Sequence, residues 1–233
     1  MKRLKRWIRG PTAVLVLYAA VALNPSLLFA HELRVENLVL HSREPLPPEA
    51  RTILQAAHDR VAKSPYFDAN DSYDLYLCDT PALFTFFVPW ARNVGAVSLY
   101  GVTGNIYVRP ANVANDRLIG PHGKEVPGVR TLTYYFAHEL THTAMARKVG
   151  RFAYFQRPSW EVEGYADLIG KAGAFDFEAE RARFRSGDDE LDPAKSGLYL
   201  RYQVFVEALL REGVSLDELP NADLEQLERR RRQ

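Results

Sequence analysis

The pentapeptide His138-Glu139-Leu140-Thr141-His142 places the tightest condition on how this chain folds. It lies within a helical pattern running from Thr131 to Lys148, in which Thr131 can cap the start, Gly150 can end the helix, and Arg147 and Lys148 complement the dipole of the last turn. Two histidines four apart on a helix stand one turn above each other on the same face, so both imidazoles reach one ion at about 2.0–2.1 Å. Glu139 is then placed beside that ion rather than on it. A third ligand is required, and Pro158-Ser159-Trp160-Glu161-Val162-Glu163-Gly164-Tyr165-Ala166-Asp167 offers candidates on the next predicted helix. Glu161 and Glu163 are about 200° apart around that helix, so only one of them faces the ion. Glu161 lies in the first turn, where the dipole already accounts for a carboxylate. Asp167 follows Glu163 by one turn on the same face, where it can accept a ring N–H from a ligating histidine. The pattern selects Glu163, with Glu161 as the alternative.

Composition narrows the chemistry further. With 233 residues, 47% of them hydrophobic, the chain supports one well-packed core and is not a disordered tail. Cys78 is the single cysteine, which excludes an intrachain disulfide framework and Cys-rich zinc or iron–sulfur sites, so any metal is held by histidine and carboxylate. Cys78 itself reads as a small buried hydrophobe. The net charge of +1 conceals a polarised distribution, because Lys2, Arg3, Lys5, Arg6 and Arg9 precede the first acidic residue and Arg229 to Arg232 follow the last. Setting those nine aside leaves 21 cations against 29 acidic residues, a net of −8 for the body, which argues against a nucleic-acid partner. The arginine tail reads as a solvated end.

The first thirty residues form a segment apart. Five cations lead an uncharged stretch from Gly10 to Ala30, whose twenty-one residues would make a helix roughly 30 Å long, enough for a bilayer's hydrocarbon core. Residues 8–30 are expected to act as a membrane anchor with residues 31–233 on the extracytoplasmic side, or as a signal peptide that leaves a secreted or periplasmic protein when cleaved after Ala30. Asn24, Pro25 and Ser26 interrupt the run near its end and suit either outcome.

The remainder reads as one mixed domain. Ile53, Leu54, Ala57 and Val61 recur at helical spacing between Pro47 and Ser64. Tyr73 to Cys78, Ala96 to Tyr100 and Asn105 to Arg109 read as strands of a small sheet, and Ala111 to Arg130 as a surface loop. Further helical patterns cover Phe177 to Arg185, Pro193 to Glu212 and Asp223 to Arg230. His31, His41 and His58 read as surface residues, and Trp160 and Tyr165 as core or cleft wall.

HELTH followed by P-x-W-x-x-E-G-Y-A-D resembles the gluzincin branch of zinc metallopeptidases, particularly short, membrane-linked, peptidase-MA-like proteins of bacterial type. The likeness covers residues 131 to 170. It implies an α+β zincin-like domain in which a small twisted sheet packs on the active-site helix, followed by a helical C-terminal part. It also implies one zinc ion on His138, His142 and Glu163, with Glu139 as general base for the zinc-bound water and Asp167 behind a ligating histidine. On this reading the substrate is a peptide or protein. An oxyanion donor is still needed, and the candidates are Tyr199, Tyr202 and His122, of which Tyr202 is preferred. Asn105 to Val108 alternates and precedes the catalytic helix, so it is expected to be an edge strand that pairs with an extended substrate. Two other readings stand beside this one: a zinc amidohydrolase acting on cell-wall material, and a noncatalytic module stabilised by zinc. Nothing in the sequence speaks to oligomeric state.

Overall fold

Residues 75–78 and 106–108 alternate between two apolar layers, and the computed structural model, which describes residues 2–91, 94–120, 122–188, 191, 199–224 and 229, shows what packs on each. The protein is a mixed α+β structure built on a five-stranded sheet. Strands β1 (His31–Val35), β2 (Leu38–Ser42), β3 (Tyr73–Leu77), β4 (Ala96–Ser98) and β5 (Ile106–Val108) lie in the order β1-β2-β3-β5-β4. The pairs β2/β3 and β3/β5 are parallel, and β1/β2 and β4/β5 are antiparallel.

Side chains alternate across a pleated strand, so Leu75, Leu77, Ile106 and Val108 face one layer while Tyr76, Cys78 and Tyr107 face the other. The first layer joins the sheet to α2 (Glu49–Val61) and α4 (Leu132–Val149). The second is closed by Phe84 and Phe87 of α3 (Pro81–Phe87) and by Phe29. Across it Phe87 stacks on Tyr107 at 4.5 Å between centroids, Tyr107 on Tyr76 at 5.2 Å, and Tyr76 on His41 at 4.5 Å. His41 is therefore buried and hydrogen-bonded to Asp74 at 2.8 Å, not the surface residue expected from sequence. Cys78 is fully buried as expected, and burial pushes its thiol well above the ordinary value.

Helix α4 carries the HELTH residues through the middle of the molecule. From Leu132 to Ala146 every residue but the half-buried Tyr135 is buried, because the sheet, α2 and α6 (Ser159–Lys171) enclose the helix. The side chain of Thr131 accepts the N–H of Tyr134 at 3.1 Å, the expected cap. The preceding stretch is more ordered than a surface loop: β6 (Ala111–Asn112) and β7 (Arg117–Leu118) form a ribbon whose turn presents the Asp116 carboxylate to the Thr133 N–H at 2.7 Å. The short α5 (Arg151–Phe155) turns the chain back into α6, which packs against α8 (Leu200–Arg211); α7 (Phe177–Ser186) lies between them in sequence. Part of the Pro193–Glu212 pattern and most of the Asp223–Arg230 pattern and arginine tail fall outside the described residues.

The contact between α6 and α8 hinges on Gly164. A Cβ there would sit 2.5 Å from the carbonyl oxygen of Tyr202 and 2.6 Å from its carbonyl carbon, so the main chains themselves are in contact. Gly164→Ala is expected to cost about 1–3 kcal/mol through overpacking, read as a lowered midpoint in thermal denaturation.

The amino-terminal segment differs from expectation. Helix α1 spans Lys2–Leu23 and so includes the cations, but it stops at Asn24, whose amide bonds back to the Ala20 carbonyl at 2.8 Å. A 3₁₀ turn over Pro25–Leu28 and then β1 follow, so the uncharged part of the helix is only about 21 Å long instead of 30. Among the described residues no helix is long and apolar enough to cross a membrane. Ala30 does not mark a boundary in the packing either, since Phe29 is buried with its ring 5.1 Å from Tyr76.

Candidate metal centre

Helices α4 and α6 cross so that three donor atoms meet. His138 Nε2 and His142 Nε2 are 3.1 Å apart, and Glu163 Oε2 lies 3.4 Å from the first and 3.6 Å from the second. Tetrahedral donors at about 2.0–2.1 Å from one zinc are separated by about 3.3 Å, so these spacings match a shared ion. Among the described residues this group of His, Cys, Asp and Glu has three members and no fourth. Two imidazoles and one carboxylate, with a side left open, are a donor set suited to zinc.

Glu161 goes elsewhere. It is almost wholly buried on the other face of α6, paired with Arg157 four residues earlier. Burial pushes its carboxyl up to about 7 even though Arg157 pulls the other way.

Both candidate histidines are held from behind. Asp167 Oδ1 lies 3.1 Å from His138 Nδ1 and accepts the Tyr134 hydroxyl at 2.5 Å. The other oxygen of Asp167 pairs with Lys171, a lysine only 2% exposed, which also donates to Gln203 Oε1 at 3.0 Å. His142 Nδ1 is 2.6 Å from the Tyr154 hydroxyl. Were Nε2 of each ring to hold an ion, Nδ1–H would donate to Asp167 or to Tyr154, which would fix the tautomer. Sequence reasoning found Asp167 but missed Tyr134, Tyr154 and Lys171. Tyr134 precedes His138 by one turn and Lys171 follows Asp167 by one turn, so helical spacing carried a signal for both. Tyr154 is delivered by the turn into α5 and carried none.

Glu139 is buried at 8% exposure and points into the same cleft. Burial raises its carboxyl above the ordinary value, and the two imidazoles and the Ser98 N–H pull it back only in part. The cleft has a volume of about 750 Å³ and runs between β4 and the start of α6. Its wall includes Tyr100, Arg130, Tyr135 and Tyr199. Tyr202 is not part of that wall: its main chain is pressed against Gly164, and its ring stacks on Tyr199 at 5.7 Å. His122 is exposed in the ribbon region and does not line the cleft. The strand expectation is also corrected. β5, which contains Ile106 to Val108, is interior, between β3 and β4, and the edge strand along the cleft is β4.

The charges of the site define a pH dependence. Burial alone would lower the His138 imidazole, but the hydrogen bonds it donates to Asp167 and Glu163 outweigh it and raise it to about 10 from the ordinary 6.5. In the metal-free protein this interaction stabilises the fold fully below pH 6.5, and the contribution is lost as pH rises through about 10. A metal ion must displace that proton. Zinc binding near neutrality should release about one proton per ion, with apparent affinity rising about tenfold per pH unit, as measured by calorimetry in buffers of different ionisation enthalpy.

No protein-family model matches this chain. No curated protein matches it either.

Proposed function

We propose that this protein is a zinc-dependent hydrolase of peptide bonds, with a gluzincin-type site on a zincin-like domain linked to a membrane by α1. The observation that carries the reading is the triangle of two Nε2 atoms and one carboxylate oxygen, with a second acidic side chain, Glu139, beside it in an open cleft. A zinc ion on His138, His142 and Glu163 would supply a Lewis acid for the scissile carbonyl and an acidified water. Glu139 takes the proton of the attacking water and delivers it to the departing amine nitrogen, a task suited to a carboxylate whose affinity for protons is raised. The phenols of Tyr199 and Tyr100 are raised by burial first and by the Glu163 charge next, so both stay protonated at neutral pH and can donate to the carbonyl oxygen. An extended peptide can pair with the β4 edge, which brings its backbone past the site. The cations lie in the first half of α1 and would keep that end on the cytoplasmic side wherever the segment inserts, leaving the domain extracytoplasmic.

The purified full chain should hydrolyse an unfolded protein substrate, lose that activity on chelation and recover it with one equivalent of zinc. Cleavage that persists after the metal is removed would defeat this reading.

A further inference from the structure

Val14, Leu15, Val16 and Leu17 of α1 are consecutive and each 62–69% exposed. At about 100° per residue, four consecutive positions cover the whole circumference, and a helix that is apolar all round is a helix meant to be buried. The shaft is also joined to the cleft. Tyr18 packs its ring on Phe86 at 4.9 Å and donates its hydroxyl to the Phe86 carbonyl at 2.9 Å. Tyr18 lies five residues before the end of α1, about 7.5 Å down the axis, so the end of α3 is held beside the shaft rather than beyond it. Trp90 follows Phe86 by four residues, is 70% exposed and forms part of the cleft wall.

Other exposed residues of the cleft lining are apolar as well. Val102 and Phe155 line the cleft at 65% and 63% exposure, and Phe152, 79% exposed, stands next to the exposed Arg151 on the same short helix. Exposed aromatic and aliphatic residues mixed with cations are the composition of the membrane–water interface. Phe152 and the α1 shaft lie outside the cleft, where a bound peptide would leave them uncovered.

We propose that the mouth of the cleft is a membrane-seating surface, held in the interfacial layer of a lipid bilayer by α1. At the cleft mouth the contact is apolar in origin, because the body beyond α1 carries a net charge of −8; any attraction to anionic headgroups falls to the five cations within α1. The candidate metal centre is thereby turned towards polypeptide lying on the bilayer. The seating itself is independent of the hydrolase reading, and its test needs no turnover.

The test uses the full chain carrying Trp7→Phe in phosphatidylcholine vesicles whose acyl chains are brominated near the headgroup. Trp160 is buried, so Trp90 is the reporter. Its emission should fall at least twofold relative to unbrominated vesicles, and this quenching should disappear in Trp7→Phe/Trp90→Phe and weaken in Phe152→Asp. Three results overturn the proposal: a chain that fails to float with the vesicles, Trp90 emission quenched by aqueous acrylamide but not by bromolipid, and equal quenching without Trp90. A bromolipid-insensitive Trp90 shielded by an apolar peptide would assign the rim to substrate side chains instead. Loss of hydrolysis with quenching intact would count against the proposed activity alone.

Discussion

Glu139→Gln is expected to keep its metal and lose its activity. The replaced carboxylate is not among the three converging donors, so zinc content should match the wild type. Glutamine has the same shape, and its side-chain oxygen can still accept the Ser98 N–H. What disappears is the capacity to take a proton from water and hand it on. The expected loss in kcat is about 10²–10⁴-fold, the contribution of a positioned general base, with KM little changed. Steady-state kinetics together with metal analysis separate the alternatives. A noncatalytic zinc-stabilised module would be indifferent to this substitution, whereas Glu163→Ala would damage either kind of protein by removing a ligand, and Glu161→Ala should leave the ion in place.

The second large effect lies behind the ligands. Asp167→Leu leaves Lys171, 2% exposed, with its charge in the interior and, among the described residues, with Gln203 as its remaining hydrogen-bond partner. Removing one member of a buried pair costs about 3–5 kcal/mol, because the surviving charge has lost both water and counterion. For a chain of this size that lowers Tm by roughly 6–20 °C. His138 also loses the acceptor for its ring N–H, and zinc affinity should fall about 10–100-fold. Adding Lys171→Met should restore most of the stability without restoring the affinity. Thermal denaturation and zinc titration of the single and double variants measure the two roles separately. A double variant as unstable as the single would show that packing, not charge, is what Asp167 contributes.

Much of the site was legible because it is helical. One periodicity fixes His138 over His142 and Glu163 before Asp167, and a hydroxyl before the apolar run marks the cap at Thr131. The central strands were legible because Tyr73 to Cys78 and residues 106–108 alternate between two layers, each apolar. The β1/β2 hairpin escaped notice because β1 is largely exposed and charged, and its turn is made by Glu36 at a φ of 50° and Asn37, without a glycine to announce it. The edge position of β4 was unreadable for another reason: strand order depends on where crossovers land, and a strand of three small or apolar residues looks alike inside or at the rim. Tyr202 was expected in the cleft, whose wall instead carries Tyr199, because helical spacing gives a residue's face but not what that face meets. The main-chain contact at Gly164 decides it, and only packing reveals that contact.

The polar groups that hold the candidate centre, from Tyr134 through His142 and Tyr154 to Lys171, all come from three helices in succession. The set of candidate metal donors is thus a cassette resting on the sheet, while the cleft residues that would meet a substrate, Tyr100 and Tyr199 among them, come from other parts of the chain. Strands can lengthen, hairpin turns can be exchanged and the aromatic stack can be rewritten without displacing a single donor atom. The crossing of α6 with α8 tolerates far less, since at Gly164 the two backbones touch and an added methyl group would push the carboxylate beside it out of line.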